Sequence, residues 1–151
     1  MKILTSVGLV LVLLAACSRE EKIPPMSIEI TGDDDMKFNI TSFEVKPRQR
    51  VTLTLKAVGE LPKEAMSHNW VLLEQGTDAA ALTQSGSRHP ETDYIPGDRT
   101  VYVLTKTRLV GAGESDTVTF TAPRNTGQYD YICTFPDHYA HGMKGIMTVA
   151  P

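Results

Sequence analysis

The feature that most limits the fold is the stretch 133–143, Cys-Thr-Phe-Pro-Asp-His-Tyr-Ala-His-Gly-Met, which carries a thiol, two imidazoles and a thioether in one short loop. Four residues separate Cys133 from His138, and four more separate His138 from Met143. Strand-like runs bracket the loop, Gln-Tyr-Asp-Tyr-Ile at 128–132 and Gly-Ile-Met-Thr-Val at 145–149. The fold must therefore end one strand at Cys133 and start the last one after Met143, with the loop turning its donors toward one point. Thiolate, neutral imidazole and thioether are soft donors that favour copper over magnesium or calcium. Zinc sites use more cysteines, or three strong ligands and a water. Two histidines, one cysteine and a long axial methionine make the blue-copper type of centre. The loop supplies one or two histidines, so another part of the chain must supply the rest.

From residue 26 onward the sequence reads as short runs with period-two alternation. The runs are 27–31, 38–45, 51–55, 69–73, 100–104, 116–120, 128–132 and 145–149. About eight short strands separated by Gly, Pro and Asp predict an antiparallel β-sandwich. Asn69-Trp70-Val71-Leu72-Leu73 is nearly continuous in apolar residues, as for a strand buried on both sides. The segment 76–95 breaks the pattern: Thr-Asp-Ala-Ala-Ala-Leu-Thr-Gln at 77–84 has an N-cap and good helix formers, so a short helix and flap are expected outside the sandwich.

The first sixteen residues read as a secretory signal: Lys2, an apolar run at 7–14, then Leu-Ala-Ala before Cys17. The run is short of the ~20 residues that a membrane span needs. Leu-Ala-Ala-Cys resembles a bacterial lipobox, which implies cleavage before Cys17 and lipid attachment to it. Residues 17–25, charged and then stiffened by two prolines, read as the lipidated tether, and 26–151 as the folded domain. This places the domain in the periplasm or at the cell surface, anchored to a bacterial membrane. A formal net charge of −3 offers no electrostatic footprint for nucleic acid. Of the two cysteines, Cys17 is assigned to the lipid and Cys133 to the metal, so no disulfide is expected.

Four histidines are available: His68, His89, His138 and His141. His68 begins the most apolar strand. Alone it would read as a core histidine; beside the downstream loop it reads as the rigid imidazole from a second strand. His89 lies in the polar flap next to Pro90 and reads as surface. His141 shares the ligand loop, but its spacing from Cys133 is less favourable than that of His138.

The loop 133–145 resembles the ligand loop of azurins and, more closely, of auracyanins. Leu-Pro-Lys-Glu-Ala-Met-Ser-His-Asn-Trp-Val-Leu at 61–72 is similar to the azurin segment that bears the first ligand, and 34–39 and 109–114 also match. The resemblance runs from about residue 27 to the end. It implies an all-β cupredoxin, a Greek-key β-sandwich holding one copper ion, with His68, Cys133 and His138 equatorial and Met143 axial. Three departures stand out. Four residues between His138 and Met143 match auracyanin spacing, one more than in azurin. Ser67 stands where azurin has a glycine whose carbonyl approaches copper. Asp137 replaces the usual glycine before the second histidine.

Asn69 follows a ligand and is expected to bond across to the segment containing Thr134, orienting the ligands. Met36, Met66, Phe135, Pro136 and Ala140 are expected to form an apolar collar around the edge of His138, suited to brief redox encounters. The expected role is electron transfer by Cu(I)/Cu(II) cycling through His138, with no enzymatic chemistry. Expected partners of this monomer are redox proteins, such as a c-type cytochrome or a membrane or periplasmic oxidoreductase. A copper storage or delivery protein would use the same ligands, but it needs an open, labile site. A cysteine enzyme based on Cys133 would leave Met143 idle and lacks an oxyanion motif.

Overall fold

Alternation in the sequence becomes two packed sheets in the computed structural model, which describes residues 22–151. The signal segment 1–16, Cys17 and residues 18–21 of the tether lie outside the described residues. Eight strands follow in order: β1 (Met26–Gly32), β2 (Ser42–Val45), β3 (Arg50–Ala57), β4 (Val71–Leu73), β5 (Val103–Lys106), β6 (Ser115–Thr121), β7 (Gly127–Ile132) and β8 (Lys144–Val149). One sheet has the order β1-β3-β6 and the other β2-β8-β7-β4-β5.

The expected sandwich of about eight strands is present, but two of its pairings are not antiparallel. β1 runs parallel to β3, and β2 parallel to β8. The chain leaves the first sheet after β1, visits the second as β2, and returns beside β1 in its original direction. Three expected strands also begin later than the alternation suggests, among them the run 69–73, where β4 starts only at Val71. Residues 38–41 contribute only a bridge between Gly32 and Phe38, because the Asn39 side chain takes the Thr31 N–H at 2.7 Å. Residues 100–102 belong to a 3₁₀ turn, Gly97–Tyr102, rather than to β5.

The core between the sheets contains Ile30, Leu53, Leu55, Trp70, Leu72, Tyr129, Tyr131, Cys133, Met143 and Met147. On the other side of β4 and β7, Val71, Leu73 and Ile132 pack against Ala79, Leu82 and Ile95 of the flap. This second layer is why β4 is apolar on both faces. The flap helix α1 (Ala79–Gly86) begins where the Asp78 carboxylate accepts the Ala81 N–H at 2.9 Å.

Tyr131 joins three parts of the sandwich. Its ring lies where a Cβ on Gly145 would fall, within 2.2 Å, and its hydroxyl donates to the Ile40 carbonyl at 2.7 Å. Burial pushes that phenol well above its ordinary pKa, so it remains a donor. Trp70, the only tryptophan, is fully buried beside the Phe120 and Tyr131 rings, and its indole N–H has no hydrogen-bond partner. Its emission should therefore lie at short wavelength and move to the red on unfolding. Followed by that signal in a denaturant titration, Tyr131→Phe should cost about 1–2 kcal/mol, since the Ile40 carbonyl loses its donor.

Candidate metal centre

Three segments build the site. His68 sits before β4 on an isolated bridge to Val110, with main-chain bonds of 2.9 and 2.8 Å between the two residues. Cys133 directly follows β7, and its N–H donates to the Met143 carbonyl at 3.1 Å, so the base of the loop is closed. His138 is carried by a turn in which its N–H donates to the Phe135 carbonyl and its own carbonyl accepts from Met143. The ligand atoms of His68, Cys133 and His138 all lie within 4.8 Å of one another, and all three side chains are buried. The Cys133 sulfur is 3.5 Å from His138 Nδ1.

Gly32, at the end of β1, is the floor of this site. A Cβ there would lie 2.8 Å from the Met143 methyl and 2.9 Å from the His68 ring. Met143 and His68 thus share the space above one glycine, which brings the Met143 side chain beside the His68 ring. No motif in the sequence marks Gly32; only its neighbours in space reveal the role.

The electrostatics suit a soft metal ion. Burial pushes the Cys133 thiol up to about 12, opposed by hydrogen bonding from the backbone of Asn69 and Phe135. Burial lowers His138 to about 4, with help from the neighbouring His68 and His141. Burial also lowers His68, against the pull of Asp33 and Asp34. Both imidazoles are therefore neutral and able to donate a lone pair. His68 Nδ1 is buried and has no hydrogen-bond partner. An unpaired buried nitrogen is costly, on the order of 1–3 kcal/mol, unless something binds it. One sulfur, two nitrogens and an adjacent thioether fit copper.

The Asn69 amide spans the two ligand-bearing segments. Its oxygen accepts the Thr134 N–H at 2.8 Å, and its nitrogen donates to the Thr134 hydroxyl at 2.7 Å. Ser67 is buried; its hydroxyl donates to the Lys63 carbonyl and its carbonyl lies 4.0 Å from the Cys133 sulfur. Asp137 has φ of 68°, a left-handed conformation that glycine takes freely and that Asp tolerates better than most residues. His141 is exposed and turned away from the trio, both its N–H and its Nδ1 lying within 3.0 Å of the Asp137 carbonyl oxygen. His89 is half-buried and pairs with Glu91 at 3.0 Å. Met36, Met66, Phe135 and Pro136 are half-buried and Ala140 is exposed. Of these, Phe135 stacks on His138, with ring centroids 4.8 Å apart.

Residues 25–150 match the family described as copper binding proteins, plastocyanin/azurin family. The chain is 37% identical to azurin of Pseudomonas aeruginosa over 126 residues, covering 82% of this chain and 84% of that protein. Among solved structures, dithionite-reduced auracyanin from Roseiflexus castenholzii superposes with a TM-score of 0.73 at 36% identity, over 86% of this chain and all of that one. Auracyanin A of Chloroflexus aurantiacus, a blue copper protein, gives 0.72 at 34% identity, over 84% of this chain and 100% of that one.

Metal uptake should release protons in a pattern set by these shifts. At pH 7.5 both histidines are already neutral and the Cys133 thiol is protonated, so Zn(II) or Cu(II) should displace about one proton per ion. Near pH 4, where His138 also carries a proton, the number should rise and affinity should fall. Calorimetry of the metal-free protein in buffers of different ionisation enthalpy counts those protons.

Proposed function

The chain belongs to the plastocyanin/azurin family of copper-binding proteins, and on that premise we propose that it is a one-electron carrier of the periplasm or cell surface. The observation that carries this reading is the buried convergence of His68, Cys133 and His138 from two separate strand ends. In this reading these three side chains would hold one copper ion, with the Met143 thioether as a weaker fourth donor. Bound copper supplies the chemistry, exchanging one electron between Cu(I) and Cu(II).

The protein's part is to hold one arrangement for both oxidation states. Ligands fixed on separate strands by main-chain bonds cannot relax far, and the buried site excludes water. The rim of His138 is the route to partners: Phe135 packs on its ring, and Met36, Met66, Pro136 and Ala140 form the apolar surround. Partners are other redox proteins, a c-type cytochrome or a membrane or periplasmic oxidoreductase, meeting a monomer in short encounters. Residues 1–16 act as the export signal, Cys17 carries the lipid, and 17–25 form the tether to the domain 26–151. Supporting the anchor is the Leu-Ala-Ala-Cys stretch at 14–17.

Copper loading should give an intense blue band from thiolate-to-Cu(II) charge transfer, with one copper per chain. Cys133→Ser should abolish that band; a band that survives would sink the ligand assignment. His68→Gly should open an equatorial position that added imidazole refills, restoring the colour. Asp137 is exposed next to His138, and its negative charge should favour Cu(II). At roughly 8 Å and an effective dielectric of about 40–80, Asp137→Asn should raise the reduction potential by about 20–45 mV at low salt. Voltammetry should show that rise shrinking as salt is added, because the screening length is about 8 Å at physiological ionic strength.

A further inference from the structure

We propose that the left-handed turn formed by Asp93 and Tyr94 in the flap is a clamp on Asn69, Thr134 and Phe135, the residues packed beside Cys133 in sequence or in space. This makes the turn a positioning element for the copper thiolate, an inference that rests on the copper reading above.

The turn is unusual in itself. Asp93 and Tyr94 are consecutive non-glycine residues with φ of 54° and 61°, a conformation that persists only where the surroundings impose it. Several contacts impose it here. The Tyr94 carbonyl oxygen lies 2.0 Å from where a Cβ on Gly86 would fall, so only glycine at that point of α1 lets the turn approach. The Tyr94 N–H donates to the His89 carbonyl at 2.9 Å. The Asp93 carboxylate pairs with Lys106 of β5 at 2.5 Å. Ile95, next in the chain, is buried among the apolar residues of β4, β7 and α1.

The turn delivers two contacts to the residues that follow Cys133. In one, the Asp93 carbonyl accepts from the Thr134 hydroxyl at 2.7 Å. That hydroxyl has a single proton and two acceptors in reach, of which the Asp93 carbonyl at 2.7 Å is nearer than Asn69 Oδ1 at 3.1 Å. With the proton committed to Asp93, the oxygen is free to accept from Asn69 Nδ2, and Asn69 Oδ1 is left to the Thr134 N–H. The flap carbonyl thus sets the hydroxyl rotor and, through it, the orientation of the Asn69 amide. In the other, the Tyr94 ring meets Phe135 edge-on at 5.4 Å and 74°. The Phe135 ring also packs on His138. Thr134, with Asn69 bonded to it, and Phe135 are therefore held by two successive residues of one turn.

The test is amide hydrogen exchange by NMR on the metal-free protein, comparing Gly86→Ala, Thr134→Val and Thr134→Ser. Gly86→Ala displaces the turn without touching a ligand; Thr134→Val keeps the shape and removes the hydroxyl; Thr134→Ser keeps the hydroxyl. The Asn69 and Phe135 amides should exchange about tenfold faster in the first two variants, roughly the weight of one net hydrogen bond. They should be unchanged in Thr134→Ser, and amides of the β1-β3-β6 sheet should be unchanged in all three. Copper-loaded Thr134→Val should show a lower reduction potential than Thr134→Ser, because a sulfur with looser N–H donors favours Cu(II). Equal exchange in Thr134→Val and Thr134→Ser overturns the clamp, and this pair decides alone if Gly86→Ala does not fold. Faster exchange with equal potentials overturns its action on the thiolate. A wild-type protein that takes up no copper would instead sink the copper reading, while the exchange result would still judge the clamp.

Discussion

The pairing of Asn69 with Thr134 is the interaction on which the arrangement of the site depends. Two segments 65 residues apart in sequence are joined by an amide that uses both its oxygen and its nitrogen on one partner. Both residues are fully buried, so each bond is shielded from competing water. Because Asn69 follows His68 and Thr134 follows Cys133, a shift of either strand end would break a buried bond before it moved a donor. Polar networks of this kind are costly if half-satisfied and specify one geometry if complete. Here every donor and acceptor in the pair has a partner.

That pair is supported from two opposite sides. Toward the sandwich interior, Trp70 and Leu72 of the strand that follows His68 pack into the core between the sheets. Toward the flap, Val71, Leu73 and Ile132 pack under α1 and Ile95. The five-stranded sheet is therefore a middle layer, and the loop from Cys133 to Met143 emerges at its end with apolar material on both sides. Gly32 completes the enclosure from the other sheet, because only the lack of a Cβ leaves room for Met143 and the His68 ring together. Burial of the trio then does its own electrostatic work. It keeps both imidazoles neutral and makes a free thiolate costly until a cation balances it.

The ligand loop turns outward only at its tip. Asp137 adopts the left-handed conformation, and the His141 N–H and Nδ1 lie against its carbonyl, which keeps that imidazole away from the sulfur. Lys37 reaches the same tip, where its ammonium donates to the His141 carbonyl. The outcome is a loop whose inner side carries the donors and whose outer side carries the exposed Asp137, Ala140 and His141.

The sequence by itself determined which chemistry was available. A thiol, an imidazole and a thioether at fixed short spacings between two strands can be read without a fold, because loop length limits how far such groups can separate. Period-two alternation marked about eight strands for the same local reason, and the doubly apolar run at 69–73 announced a covered sheet. Tertiary structure decided everything that depends on residues distant in sequence. Parallel pairing of β1 with β3 and of β2 with β8 follows from the path between sheets, and alternation carries no record of direction. Gly32 is a floor, Gly86 makes room for a turn, and Asp93 and Tyr94 reach Thr134 and Phe135 only because packing brings them there. None of these residues has a local pattern that sets it apart. Their roles are exclusions of volume and alignments of backbone groups, which exist only between segments once they are in contact.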